Sequence, residues 1–395
     1  MRGSVGLFTY STLPRGSVVH TAQLADALVD AGWDVTVYAL DKDGRGFFRP
    51  LRARLRLVPA APAPDTTAAL VAQRSDELAR YLLRRRPTHD IHHAQDCLVA
   101  SGLLAARAAG YGLKLVRTVH HVERFHDPYL DACQTRSIRE ADLCLTVSAF
   151  AKRDIATTFG VQSAVVGNGV DAKRFAHVAP ERLRAWCNRL LGGAPVTAGT
   201  PVILAVGGIE PRKNTLRILG AFARVRAEHP RAQLWILGGA SVLDHAGYRA
   251  AFWQAHAELP AKDRAAVVEL GVVAEDDVPA IFQLADVLAL PSLHEGFGLV
   301  ALEALAAGVP LVASARPPLT EFLDPSCAVL VDPDSEAAIA DGLLRALAGS
   351  DDGRRRAAGY RRAAAHSWTR VARRHGTHYE RITSHARNAL RRSLA

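Results

Sequence analysis

Along roughly the first half of the chain, short apolar and β-branched runs alternate with longer stretches whose apolar positions recur at helical spacing. Val5 to Thr9, Val35 to Ala39, Leu113 to Val119, Leu143 to Val147 and Val161 to Val166 read as strands, since a strand buried on both faces of a parallel sheet is a short continuous apolar run. His20 to Ala31 and Asp96 to Ala109 carry the 3.6-residue period of helices. The alternation predicts an α/β fold with a doubly wound parallel sheet. The pattern then begins again. After a stretch rich in Gly, Pro and Ala, Gly192 to Pro201, strands are expected at Val202 to Val206, Gln233 to Leu237, Val267 to Leu270, Val287 to Leu290 and Leu311 to Ala313, with helices between them. Pro180 to Leu191 is amphipathic, the chain beyond Asp351 is Arg-rich and helical, and Ala60 to Ala69 reads as a surface loop of low complexity. The expected organisation is a Rossmann-like domain over residues 1–175, a linker over 176–200, a second Rossmann-like domain over 201–365 and a helical segment over 366–395.

Composition narrows this little. With 49% hydrophobic and 22% charged residues, the chain falls among ordinary soluble globular proteins. No run of eighteen apolar residues occurs, and Val5 to Phe8 is a strand rather than a leader, so neither a secretory signal nor a spanning helix is expected. The five cysteines are widely spaced, odd in number and form no Cys-x-x-Cys, which reads as reduced thiols in a cytoplasm. Net charge is +10, of which +7 lies in residues 1–185. A basic first half suits a phosphorylated acceptor or weak association with the anionic inner face of a membrane. It lacks the aromatic-studded basic stripe on which bases stack, so nucleic acid is not an expected partner.

Ligands of open parallel sheets bind beyond the carboxyl ends of the strands. Four candidate segments fall there: Pro14 to Ser17 after the first strand, His120 and His121 after Val119, Gly207 to Lys213 after Val206, and Pro291 to Gly298 after Leu290. With two such sheets face to face, the natural site is the cleft between them. In Pro291 to Glu303, Glu295 and Glu303 stand eight positions apart across Gly296-Phe297-Gly298. The glycines admit close approach of a ligand, and the helix they open offers unsatisfied N–H groups and its positive end to an anion, a diphosphate for choice. At ~1.5 Å rise per residue the two backbones lie roughly 10 Å apart, so the carboxylates suit two parts of one long ligand better than a glycosidase pair. Arg212 and Lys213 are adjacent cations at a helix entrance, where they would stabilise charge growing on a leaving diphosphate.

Other chemistries are disfavoured. No Gly-x-Gly-x-x-Gly follows the first strand and no Walker sequence occurs, which argues against dinucleotide oxidoreductases and P-loop enzymes. His120, His121 and His126 with Glu123, and His89, His92 and His93 with Asp90 and Asp96, are metal-ligand types. They lack the helix-borne His-Glu-x-x-His spacing, and adjacent histidines on an extended segment point apart, so no metal site is expected and a hydrogen-bonding His120 is. Asp332-Pro333-Asp334 reads as a turn.

Taken together, these residues resemble the retaining GT-B glycosyltransferases of family 4, the "glycosyl transferases group 1", over nearly the whole chain. The resemblance rests on Arg212-Lys213, on Glu295 and Glu303 with Gly-Phe-Gly between them, on Ala306 to Pro310, on His20 with Leu24-Ala25, on His120, on Asn168 to Asp171 with Phe175, and on Ser367-Trp368 before the final Arg-rich helix. It implies two Rossmann-like domains facing across a cleft, the first on the acceptor side and the second on the nucleotide-sugar side, with the final segment packing back toward the first. It further implies that Glu295 binds hydroxyls of the donor sugar, Glu303 the ribose, and Arg212 with Lys213 the diphosphate. Backbone groups at Phe297, Gly298 and Leu299 complete the phosphate site, and His120 lies near the sugar 6-hydroxyl. The family uses no metal or other cofactor beyond its nucleotide-diphosphate sugar, and its displacement occurs on one face of the sugar, so the configuration is retained. Alignment on His20 puts Gly16 on the second glycine of the family's first loop and Arg15 on the first. Gly207-Gly208 stands where many members have Gly-Arg. The acceptor, whether small molecule, lipid or saccharide, has no readable code, and neither do the base, the sugar or the oligomeric state. Two alternatives share the fold or the ligand: a glycoside phosphorylase, and a sugar-nucleotide-binding protein without turnover.

Overall fold

The computed structural model describes residues 2–191, 199–239, 245–349 and 352–393. They form two compact units: residues 1–169 with 368–395, and residues 170–367. The division differs from the expected boundaries at 175 and 365, and the helix Pro180–Leu191 and the rest of the described 176–200 segment fall in the second unit; residues 192–198 lie outside the described residues.

In the first unit, β1 (Ser4–Thr9), β2 (Asp34–Asp41), β3 (Arg54–Pro59), β4 (Ile91–Ala94), β5 (Leu115–Val119), β6 (Leu143–Thr146) and β7 (Ala164–Val165) form one parallel sheet in the order β3-β2-β1-β4-β5-β6-β7. In the second, β8 (Val202–Val206), β9 (Gln233–Leu237), β10 (Val267–Gly271), β11 (Val287–Leu290), β12 (Leu311–Ser314) and β13 (Val329–Val331) form another in the order β10-β9-β8-β11-β12-β13. Each chain trace begins at mid-sheet, winds to one edge, returns to the middle and winds to the other. The reversal leaves a crevice between β1 and β4 in one sheet and between β8 and β11 in the other, and the loops after these strands border it.

β3, β4 and β13 were not among the expected strands. β3 is an edge strand whose Arg54 and Arg56 face solvent, so it lacks the apolar run of a central strand. β4 reads Ile-His-His-Ala and is nonetheless buried along its whole length. Its histidines find partners at a distance: His92 pairs through Nε2 with the Tyr111 hydroxyl at 3.0 Å, its Nδ1 having no partner among the described residues, and His93 bonds the Tyr379 hydroxyl at 2.6 Å and the Thr118 hydroxyl at 2.7 Å. Buried polar groups are stable when so paired.

Several helices start at side-chain caps. Asp96 accepts from Val99 N at 2.9 Å, Ser148 from Ala151 N at 3.1 Å and Ser335 from Ala338 N at 3.1 Å. The first core closes around Phe8, Leu78 and Leu82 and the second around Phe222, Phe252 and Ile236, all about fully buried, each such side chain contributing ~1.5–3 kcal/mol. The helix Trp368–Ser393 belongs to the first unit, where Trp368 meets His20 edge-on at 5.2 Å between ring centroids and buried Tyr379 bonds β4.

Candidate active site

At the second sheet's reversal, the loop after β8 carries the cations and the loop after β11 the carboxylate. Pro211–Lys213 forms a single 3-10 turn, closed by Asn214 in the left-handed region at φ 61°, which Asn tolerates better than most residues. Buried Asn214 ties the two loops together, its amide donating to the Pro291 carbonyl at 3.0 Å and the Pro333 carbonyl at 2.7 Å. Leu293 N donates to the Arg212 carbonyl at 2.9 Å. The side chains then converge: Lys213 Nζ lies 2.6 Å from Glu295 Oε1, and an Arg212 guanidinium nitrogen lies 3.0 Å from Glu295 Oε2. Ser292 Oγ donates to Glu295 Oε1 at 2.8 Å, and Glu210 stands 3.5 Å from the other side of Arg212. Burial alone would push the Glu295 carboxyl up, but Lys213 and then Arg212 reverse that and hold it down at about 2. The same burial depresses Lys213, which Glu295 partly offsets.

Two glycines shape the crevice. Gly298, at φ 101°, opens the helix Leu299–Ala307; a Cβ there would sit 2.4 Å from Leu319 Cδ2. No side chain caps this helix; Ala301 N donates to the Gly298 carbonyl at 3.0 Å, and the N–H groups of Leu299 and Val300 before it have no carbonyl partner within the helix. Phe297 is buried and stacked on Phe322 at 4.9 Å, so the ring is packing and only its backbone borders the crevice. Gly208, at φ 76°, has the Gly239 carbonyl 2.6 Å from where a Cβ would be, so the arginine common here in the family has no room for its Cβ. Glu303, one turn and more into the helix, is half-buried; burial and then the Glu275 carboxylate push it up to about 7, against the pull of Arg174 and Lys213. Arg174 itself pairs with Glu275 at 2.8 Å.

Beyond the carboxyl ends of β4 and β5 in the first sheet stand imidazoles that burial keeps neutral. His120 follows β5, and its Nε2 donates to Gln95 Oε1, after β4, at 3.1 Å. His20 meets the His120 ring edge-on at 4.7 Å and pairs through Nδ1 with the Asn168 side-chain carbonyl. Burial lowers His20 to about 4, partly offset by Asn168, and holds His120 well below the usual imidazole range with His20 adding to the effect. His121 is exposed and pairs with Glu123 at 2.8 Å, and His126 is exposed. Gly16 is the exposed first residue of the helix Gly16–Asp30, one turn ahead of His20, with nothing within 4 Å of a Cβ placed on it. The structure thus brings Arg212, Lys213, Gly208, Glu295, Phe297, Gly298, Leu299 and Glu303 to one sheet end, and Gly16 and His120 to the other sheet's end. Sequence reading gave no role to Ser292, Asn214, Gln95 or Asn168. The first two lie inside or beside segments already singled out; Gln95 and Asn168 find their partners only through the fold. Asp332 and Asp334 sit in a turn, both paired with Arg316. Among the described residues no helix is long and apolar enough to cross a membrane.

Residues 194–364 match the family described as Glycosyl transferases group 1, and residues 14–174 match Glycosyltransferase Family 4. The chain is 32% identical over 335 residues to an MMP alpha-(1->4)-mannosyltransferase of Mycolicibacterium hassiacum, spanning 74% of this chain and 71% of that one. The chain belongs to the family 4 glycosyltransferases. This glycosyltransferase is also 31% identical over 237 residues to a glycogen synthase of Mycobacterium tuberculosis, across 57% of its own length and 52%, about half, of that relative's. Its fold is that of sucrose-phosphate synthase from Thermosynechococcus elongatus, with a TM-score of 0.78 at 21% identity over 96% of this chain and 99% of that one. The two doubly wound sheets are those of the GT-B architecture.

Proposed function

We propose that this glycosyltransferase moves a hexosyl group from a nucleotide-diphosphate sugar to an acceptor hydroxyl, with retention of configuration and without a metal or other cofactor. What supports the reading is one arrangement: two cations, a carboxylate held ionised and a helix N-terminus on two adjoining loops at a sheet reversal. Arg212, Lys213 and the N–H groups around Phe297, Gly298 and Leu299 receive the diphosphate; Gly16 lets backbone approach it, and Gly208 lets the loop after β8 pack against the Gly239 carbonyl beside it. Glu295 accepts from hydroxyls of the sugar, Glu303 from those of the ribose, and neutral His120 bonds the sugar near its 6-hydroxyl. The acceptor oxygen bonds the anomeric carbon on the face from which the β-phosphate oxygen departs. The electrons of the broken bond leave with the diphosphate, whose own oxygen takes the acceptor proton. The growing negative charge meets cations already in place, the role a divalent ion would otherwise fill. The names of the two relatives, a mannosyltransferase and a glycogen synthase, favour a hexose donor and a saccharide, small-molecule or lipid-linked acceptor. The +7 charge of residues 1–185 supports weak attachment to an anionic membrane surface on the cytoplasmic side, read as co-sedimentation with anionic liposomes that salt abolishes.

Thermal unfolding with UDP, GDP, ADP and TDP tests the donor site. A nucleotide at a hundred times its Kd stabilises by about 2.7 kcal/mol. One nucleotide is expected to shift the melt, and Glu303→Ala or Lys213→Ala to abolish the shift. A shift with inorganic phosphate alone would replace this reading with a phosphorylase, and nucleotide binding without donor consumption would replace it with a binding protein. Product NMR reports retention, and an undiminished rate in EDTA the lack of a metal requirement.

A further inference from the structure

The diphosphate cations already have a counter-ion within the protein. Glu295 spans both, one carboxylate oxygen 2.6 Å from Lys213 Nζ and the other 3.0 Å from Arg212. The two are not equally free to leave it. Lys213 is 8% exposed, and its methylene stem lies so close over Gly207 that a Cβ there would stand 2.5 Å from Lys213 Cε. Arg212 is 35% exposed. Ser292, 3% exposed, gives the Glu295 carboxylate a third bond, to Oε1 at 2.8 Å from a neutral donor, and its own carbonyl is fixed by the Ser314 hydroxyl.

We infer that an incoming diphosphate displaces Glu295 from Arg212, and that Ser292 is the positioning residue that holds the carboxylate in register on Lys213 for the sugar when that exchange occurs. The inference rests on the donor-site reading above. Charge-assisted bonds are the strong ones, so exchanging one carboxylate for two phosphates at Arg212 costs part of the binding that the phosphates provide. The neutral Ser292 bond carries no charge a phosphate can compete for, and it fixes the same oxygen that Lys213 holds.

Calorimetric titration with inorganic pyrophosphate, UDP and GDP, beside steady-state kinetics, tests it. Measurements at pH 6 keep Lys213 charged, because loss of the Glu295 charge would lower a lysine that burial already depresses. Glu295→Gln is expected to bind pyrophosphate about tenfold more tightly than wild type, equivalent to about 1.4 kcal/mol, while losing turnover. Glu295→Asp, with a shorter reach to Arg212, should move in the same direction by less and stands in where the Gln variant does not fold. Ser292→Ala should keep pyrophosphate affinity within about threefold and lower kcat about tenfold, with Ser292→Thr restoring it. Unchanged or weaker pyrophosphate binding in Glu295→Gln would overturn the counter-ion exchange. Loss of pyrophosphate affinity in Ser292→Ala would make Ser292 structural and overturn its positioning role. Failure of wild type to bind any of the three ligands would instead bring down the donor site itself.

Discussion

The two sheets are wound alike, yet their reversal ends carry opposite chemistry. In the first unit His20 and His120 are driven neutral by burial, and His120 is fixed by Gln95, a neutral partner. In the second unit Glu295, Lys213 and Arg212 stay paired as ions. Neutral imidazoles exchange hydrogen bonds with hydroxyls at little electrostatic cost, whereas a polyanion needs fixed positive charge. On the proposed function, the same topology provides one end for sugar hydroxyls and one for a diphosphate, and the difference lies in the side chains that the loops and helices place at each end.

The sharpest way to break this contrast is to neutralise the charged end. Lys213→Met should lower kcat/KM by about 10²–10³-fold, near 3–4 kcal/mol of barrier, with a smaller change in donor KM than in kcat, since the charge it meets grows in the transition state. Steady-state rates with the donor found by the melting screen decide it, and a loss confined to KM would refute the transition-state role.

Acid separates the units next. His20 has a folded pKa near 4, below its ordinary value near 6.5, so the folded first unit holds fewer protons than the unfolded chain between those values. Its contribution is fully present above pH 6.5 and lost as pH falls toward 4, by about 3 kcal/mol for this one residue. Hydrogen exchange of β1, β4 and β5 should show that decline, and His20→Gln, which keeps a donor for Asn168 but does not titrate, should flatten it. An unchanged slope would place the acid sensitivity elsewhere.

Glu303 works with the opposite sign and less force. Its folded pKa, near 7, lies above its ordinary 4.5, so the folded second unit keeps a proton longer and loses stability as pH rises through that window. Glu303→Gln should therefore stabilise the second unit at pH 8 by about 2 kcal/mol and have no effect near pH 4, measured by exchange in β8 and β11. Equal effects at both pH values would show that the gain is not electrostatic.

Much of this contrast is legible in the sequence. The second unit's strands are apolar runs, and Gly207 to Lys213 and Pro291 to Gly298 stand at their ends, so pattern and motif pointed to the same place. What stayed hidden depends on groups distant in the chain. Ile91–Ala94 looks polar until Tyr111, Thr118 and Tyr379 are brought to its histidines. His20 finds Asn168 across 148 positions. Periodicity measures local burial and has no view of such partners. Without β4, moreover, the first sheet's reversal would have been drawn between β1 and β5, one strand from where it lies.

The helix Trp368–Ser393 packs into the first unit, yet the ribosome delivers it only after all of residues 170–367. Tyr379, which satisfies His93, and Trp368, which covers His20, are absent from the nascent chain while β1 to β7 wait outside the exit tunnel. At ~5–20 residues per second the wait lasts on the order of ten seconds or more. Through that interval the part of the chain made first lacks the groups that pair with His93 and meet His20, whereas residues 170–367 are contiguous and need nothing from the chain beyond them to be complete as a unit.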